Sequence, residues 1–331
     1  MKTLPSLLPS GLLILLVLIT CTPAVAQQAP PAAPASSQTP VGGAGGQRPV
    51  ASPDGQALAR RAIVAVESQR SLYMKLRQRI HMFGQQLVGN GTYQQLYEGD
   101  ACKLRLDLKV NIANQTTSMQ QISDSRFLYV RREFGDSSHL GRVDLRRIRE
   151  AVDQSDAADG NIDASHQWML LGGVPHLLSR QEKNFQFTAP REATLETVPV
   201  TVIDGYWQPE ALLALLPDRA EDVKAGKPID AKALNGQLPT QIRLIVRTAD
   251  SFPVRIEYLR AGKSQTADEP PPVTTIMAME FYDISKGVHI DPLTFSYNPG
   301  EQEVADHTDT YLRSLGLKDA RQATRERAAP R

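Results

Sequence analysis

An alternation of apolar and charged residues with a period of two constrains the fold most. Between residues 238 and 300, Leu244 and Val246 alternate with Arg243 and Arg247. Between residues 103 and 112, every second position on one face is apolar: Leu104, Leu106, Leu108, Val110 and Ile112. A strand with this pattern has one face packed on apolar material and one face in water. Both stretches therefore predict antiparallel strands that cover an apolar interior.

Helical patterns are interleaved with these strands, which predicts an α+β domain. Residues 54–78 have apolar side chains at spacings of three, four and seven, and we expect one amphipathic helix there. Asn90-Gly91 predicts a hairpin turn, and residues 289–300 are expected to form the last strand. Two short apolar helices are expected near residues 166–178 and 209–216. The apolar faces of such strands and the apolar faces of such helices must be buried against each other.

The N-terminus predicts export from the cytoplasm. Lys2, an apolar run at 11–19 and the small-x-small site Ala24-Val25-Ala26 are typical of a signal peptide over residues 1–26, cleaved after Ala26. Cys21 leaves a second interpretation open, a lipid anchor at that cysteine, which we favour less. The Pro-, Ala- and Gly-rich residues 27–53 predict a flexible tether. Residues 54–317 are expected to form the folded domain, followed by a basic, disordered tail at 318–331.

Cysteine content and charge exclude several classes of protein. Cleavage of the signal peptide leaves Cys102 as the one cysteine, so an apolar core and not an internal disulfide must stabilise the chain. Thirty-seven basic and 36 acidic side chains leave a net charge of +1. Because nucleic-acid binding requires a concentrated positive face, this balance argues against it.

No combination of residues predicts catalysis. The six histidines are scattered, and no pair has the spacing of metal ligands on a predicted helix. Ser165-His166 lacks an oxyanion signature, and Cys102 lacks a neighbouring base. We therefore expect no enzyme activity, no metal and no cofactor. Four arginines cluster near one short predicted helix: Arg142, Arg146, Arg147 and Arg149. We interpret them first as the solvent-exposed face of that helix. The alternative is a patch that docks an acidic partner protein or makes peripheral contact with an anionic membrane.

Three loose motifs, in order along residues 57–310, resemble the periplasmic outer-membrane lipoprotein carrier family, which has the LolA-like fold. The motifs are Lys103-x-Arg105 at the start of a long strand, Leu238-Pro239, and an ending of Ile290-Asp291, Phe295 and Pro299-Gly300 with Val304-x-Asp306. The resemblance implies a strongly curved antiparallel sheet that forms a half-open barrel closed by helices. It also implies a buried arginine that bonds the lid. Arg105 matches that position, but the alternation along the strand places its side chain on the face opposite to Leu104.

The resemblance implies a carrier that holds acyl chains of a lipid or lipoprotein in an apolar cavity. The expected wall residues come from the strands: Leu104, Leu106, Leu108, Val110, Leu244, Val246, Ile256, Tyr258 and Phe295. The expected lid residues come from the apolar helices: Trp168, Met169, Leu171, Leu212 and Leu216. The alternative function is an envelope sensor or scaffold that uses the same sheet to bind a protein partner.

Overall fold

The structure is a computed structural model that describes residues 50–82, 85–112, 115–153, 168–227, 234, 238–262 and 272–317. The predicted signal peptide, nearly all of the tether and the basic tail lie outside these residues. Seven helices lie in the described ranges: α1 (Pro53–Glu67), α2 (Leu145–Asp153), α3 (Trp168–Leu171), α4 (Val174–Asn184), α5 (Pro209–Leu215), α6 (Ala220–Lys224) and α7 (Thr308–Ser314). None of them is both long enough and apolar enough to cross a bilayer.

Thirteen strands in the described residues form one sheet. They are β1 (Ser71–Met82), β2 (Gln85–Glu98), β3 (Ala101–Ile112), β4 (Gln115–Ser123), β5 (Phe127–Phe134), β6 (Ser137–Asp144), β7 (Phe185–Phe187), β8 (Arg191–Leu195), β9 (Val198–Trp207), β10 (Gln241–Arg247), β11 (Pro253–Ala261), β12 (Val273–Lys286) and β13 (Ala305–Asp306). Their order is β13-β6-β5-β4-β3-β2-β1-β12-β11-β10-β9-β7, with β8 also paired to β9. Only the short β13–β6 pair is parallel, and the sheet is not closed. The predicted α+β class with an antiparallel, half-open sheet is confirmed.

One face of the sheet, here called the inner face, carries the main core. Nine strands (β1–β4, β7 and β9–β12) contribute side chains to a single buried cluster, and α1, α3 and α4 pack on it. The predicted alternation in β3 is confirmed, because Leu104, Leu106 and Leu108 are all buried at 4% exposure or less. Burial of this apolar surface, at about 25 cal/mol per Å², is what holds helices and sheet together.

The opposite face, here called the outer face, is crossed by an irregular segment after β12. This outer strap, residues 288–304, runs from β12 to β13. Arg105 of β3 donates from Nη1 to the Thr294 carbonyl at 3.1 Å. Tyr297 stacks on Tyr129 of β5, with ring centroids 5.1 Å apart. Gln302 donates to Ser138 of β6 at 3.2 Å. The strap therefore spans the outer face of β2 to β6.

The strap overturns the predicted last strand at residues 289–300. The chain there forms a 3₁₀ turn, Pro292–Phe295, which Asp291 caps by accepting from the Leu293 amide at 2.9 Å. Leu293 is 73% exposed whereas Phe295 is 1% exposed. A strand would place both on one face, so the turn explains why their environments differ.

Two further predictions near the N-terminus are wrong. The helix predicted to reach residue 78 ends at Glu67, and β1 begins at Ser71. The predicted turn at Asn90-Gly91 lies inside β2, where Asn90 pairs with Lys109 and Gly91 with Leu108. A Cβ at Gly91 would lie 1.9 Å from the Asp107 carbonyl oxygen, so this glycine permits close strand approach.

Candidate functional site

The inner face brings together most of the residues predicted to line a cavity. Eight of the nine wall residues belong to one buried cluster, with exposures of 7% or less: Leu104, Leu106, Leu108, Val110, Leu244, Val246, Ile256 and Tyr258. The register between strands brings these side chains to the same face, because Leu244 lies opposite Ile256 and Leu106 lies opposite the buried Tyr93. The side chains form a continuous apolar surface under α1, α3 and α4.

The short helix α3 covers this surface at the β2–β3 side. Trp168 and Met169 are buried in the inner-face cluster, and the Trp168 ring lies 5.7 Å from the Tyr93 ring. Gly172 and Gly173, which join α3 to α4, have φ angles of +133° and +77°. These conformations are nearly restricted to glycine, so the connection between α3 and α4 requires glycine at both positions.

Helix α4, in contrast, is tied to α1 by polar contacts. The Glu182 carboxylate accepts from Gln56 at 2.9 Å and from the Arg60 guanidinium at 2.8 Å. The Glu182 carbonyl also accepts from Gln56 at 2.8 Å. These three hydrogen bonds hold the C-terminal part of α4 against α1.

Two buried polar pairs interrupt the apolar surface. Tyr93 donates to Gln95 at 2.8 Å and accepts from the Val174 amide at 3.3 Å. Burial raises the pKa of Tyr93 well above its usual value, so the hydroxyl stays protonated. At the other end of α4, Gln181 donates from Nε2 to the Tyr258 hydroxyl at 2.8 Å. Neither Tyr93 nor Gln181 was among the predicted site residues, since an isolated polar residue in the sequence does not show that it is buried.

Several predicted site residues lie elsewhere. Leu212 and Leu216 belong to a separate cluster with Val223 and Leu234, so they do not cover the inner-face cluster. Leu171 packs against a third cluster formed by β5, β6, α2, α7 and Leu170 of α3. The turn that carries Phe295 contacts β3 on the face of Arg105, opposite Leu104. The physical reason is the strap, whose path no local pattern predicts.

Arg105 does not reach the inner face. Its guanidinium pairs with Asp107 at 2.7 Å and holds the strap through Thr294. The role of a lid-bonding arginine, which the resemblance implies, therefore does not match the geometry of this residue.

The predicted arginine patch is largely engaged within the chain. Asp144 caps α2 by accepting from the Arg146 and Arg147 amides at 3.0 and 3.2 Å. Arg147 pairs with Asp309 at 2.6 Å, and Arg149 donates to the Leu145 carbonyl at 3.2 Å. Arg142 lies over the Phe127 ring at 4.7 Å. Arg146 is 65% exposed and has only a loose contact with Glu150 at 3.6 Å, so it is the most available of the four.

A shallow cavity of about 330 Å³ lies between the outer strap and β1, β2 and β12. Its lining is mixed, with Tyr73, Gln94 and Ser285 on the strand side and His289 and Asp291 on the strap side. In the described ranges, no three His, Cys, Asp or Glu side chains are arranged to hold a metal ion.

No protein-family model and no curated protein matches the chain. Similar solved structures include lipoprotein LppX from Mycobacterium tuberculosis, at 12% identity and a TM-score of 0.35 over 72% of this chain and 99% of that one. A LolA superfamily protein from Nitrosomonas europaea has 12% identity and a TM-score of 0.25 over 74% and 99%. MucB, also solved in complex with MucA(peri), has 10% identity and a TM-score of 0.36 over 75% and 64%.

The observed architecture is an open antiparallel sheet with one helix-covered apolar face, as the motifs predict. The resemblance to the LolA-like fold implies this arrangement of a helix-covered open sheet.

Proposed function

We propose that this protein binds the acyl chains of a lipid or lipoprotein on its inner face and carries them in the cell envelope without chemical reaction. One observation supports this most: an apolar surface to which nine strands contribute is covered at α3 by four residues, which Gly172-Gly173 join to α4. The proposal includes a movement of α3 about this joint. Acyl chains would replace Trp168 and Met169 on that surface. The strand residues from Leu104 to Tyr258 named above are the proposed wall.

The energetics require a long chain. Lifting α3 exposes three buried apolar side chains, Trp168, Met169 and Leu170, at about 1.5–3 kcal/mol each. Each buried methylene contributes about 0.8 kcal/mol. Roughly six to eleven methylenes therefore only offset the opening, and we expect binding to become measurable with chains longer than that.

The chain has two tryptophans, so fluorescence can test the proposal directly. In a Trp207→Phe variant, Trp168 is the only emitter. Acyl lipids with bromine in the chain should quench its emission saturably, because bromine quenches on contact, whereas the same lipids without bromine should not quench. A Trp168→Phe variant, which retains Trp207 beside Phe185, is the matched control and should be quenched less. Absence of quenching at Trp168 would contradict the proposal.

Location is part of the same proposal. A cleaved signal peptide predicts a mature chain that begins at Gln27, whereas an anchored protein would begin at an acylated Cys21. Intact mass spectrometry of the exported protein distinguishes the two by the N-terminal residue and by the mass of the attached acyl groups. Native mass spectrometry of the same sample should detect a co-purified lipid.

A second candidate function is an envelope sensor or scaffold that binds an acidic protein. The exposed guanidinium of Arg146 favours it. An Arg146→Glu variant, with residues 27–53 retained, should lose partners in a pull-down if this surface docks them. Arg147→Glu is a poor probe because Arg147 holds Asp309 of α7 and its loss would perturb the fold. Partners unchanged by Arg146→Glu would count against this function.

A further inference from the structure

The amide of Gln181 is a polar group in an apolar place. The residue is 5% exposed and lies on the face of α4 that also buries Leu177 and Leu178. Its Nε2 donates to the Tyr258 hydroxyl at 2.8 Å, but its Oε1 has no hydrogen-bond partner within the described part of the chain. Across the sheet from Tyr258 lie Ile242 and Met277. The Gln181 amide therefore lies beside Tyr258, one of the residues proposed to form the wall of the acyl site.

An acceptor of this kind is costly. A buried carbonyl without a donor costs about 1–3 kcal/mol, and most such groups in folded proteins have a partner. Leucine at this position would fill similar space without that cost. A group that the ligand supplies would satisfy Oε1.

The position of Gln181 fits a site for the polar end of a lipid. Ile242, opposite Tyr258, is the second residue of β10, and β11 ends three residues after Tyr258, so the pair lies near the rim of the sheet. Val174, at the other end of α4, lies about 10 Å away along the helix axis. An acyl chain that follows α4 would therefore have its junction with the headgroup at Gln181 and its tail beneath Gly173 and Trp168.

We propose that Gln181 Oε1 accepts a hydrogen bond from the bound ligand, and that the preferred ligand is N-acylated. An ester-linked acyl chain offers only acceptors at its junction with the headgroup, whereas an amide-linked chain offers an N–H there. Gln181 is thus a specificity-determining residue of the inner face. This inference rests on the proposed function, since it assumes that acyl chains occupy that face.

Two acylated probes that differ in one hydrogen-bond donor, the amide N–H, test this proposal. N-palmitoyl-glycine methyl ester carries the amide N–H, and N-palmitoyl-sarcosine methyl ester carries a methyl group in its place. In titration calorimetry, the native chain should bind the glycine probe roughly tenfold more tightly or better, which corresponds to satisfying one buried acceptor.

Variants assign the effect to Gln181. Gln181→Met has similar length and no amide acceptor, and should bind both probes equally. Gln186→Met, at the half-buried middle position of β7, is the matched control and should keep the preference. Equal binding of both probes to the native chain would overturn the role of Gln181 and leave the proposed function standing. Binding of neither probe would overturn the proposed function itself. Because the native chain alone decides between these outcomes, a poorly folded variant does not affect the test.

Discussion

Gly173 is the residue on which the cover of the inner face depends. Its φ of +77° and ψ of −153° lie in a region that only glycine adopts readily. A Cβ there would lie 2.3 Å from the Tyr93 hydroxyl and 3.1 Å from a Leu104 methyl carbon. Tyr93 is fully buried and cannot move aside. The backbone conformation and the close contact therefore both require glycine.

We expect Gly173→Ala to lower the free energy of unfolding by about 3 kcal/mol, from backbone strain plus the clash. Gly135→Ala is the control, because Gly135 also has a positive φ, +53°, but has nothing within 4 Å of its Cβ position. That variant should lose only about 1–2 kcal/mol. Urea denaturation of both variants measures the difference, and equal losses would mean that the contact with Tyr93 is unimportant.

His176, in the first turn of α4, predicts acid sensitivity. Burial, with a smaller contribution from the Arg180 charge, lowers its pKa to about 4 from a usual 6.5. Between these values the unfolded chain binds the proton and the folded chain does not, so stability falls as the pH decreases from about 6.5 to about 4. His176→Gln should remove up to about 1–3 kcal/mol of this loss, so that stability falls less steeply between pH 6.5 and 4. Denaturation midpoints measured across pH 4–8 for the native chain and the variant test this prediction. The same dependence of the midpoint on pH in both would refute it.

Among the elements, the outer strap is anchored at several separate points. Phe295 is buried, and Tyr297 stacks on Tyr129. Arg105 donates to the Thr294 carbonyl, and Gln302 donates to Ser138. Tyr297→Ala should remove about 0.5–1.5 kcal/mol of aromatic contact plus some burial. Hydrogen exchange should then increase in residues 288–304 and stay unchanged in β10 and β11. Leu293→Ala, at a 73% exposed position, should leave exchange as it is. Faster exchange throughout the sheet would show that the strap stabilises more than itself.

Local pattern predicted some elements and not others, for identifiable reasons. The strand at 103–112 has unbroken alternation, the strands at 241–247 and 253–261 alternate in part, and all three lie where expected. Residues 68–80 carry two patterns at once, since Tyr73, Leu76 and Ile80 have helical spacing whereas Leu72, Met74 and Leu76 alternate. The inner face buries the second set, all at 1% exposure or less, so contact with the sheet decided between them.

At the scale of the whole molecule, a chain of ion pairs crosses the outer face from β1 to β8. Glu280 contacts Arg79 and Arg255, Glu257 contacts Arg255 and Arg243, and Asp204 contacts Arg243 and Arg191, at 2.6–3.6 Å. Glu257 is only 10% exposed at its side chain. Charged groups with so little access to water depend on one another.

Removing one charge from the centre of this network should therefore be costly. We expect Glu257→Gln to lower the free energy of unfolding by about 2–4 kcal/mol, because two poorly solvated guanidinium groups lose their shared partner. Glu150→Gln breaks the exposed contact with Arg146 and should cost less than about 0.5 kcal/mol. Thermal or urea unfolding distinguishes the two, and a negligible effect of Glu257→Gln would show that water screens the network.

Periodicities within single segments predict the α+β class, the alternating strands, the apolar inner face and the placement of Arg105 opposite Leu104. Contacts between distant segments, in contrast, place Phe295 on the outer face, assign Leu212 and Leu216 to another cluster and bury Gln181 with an acceptor that has no partner among the described residues. Each of these depends on which distant segment covers a residue. Coverage is set by contacts between residues far apart in the chain, such as Arg105 and Thr294, and a local pattern does not encode it.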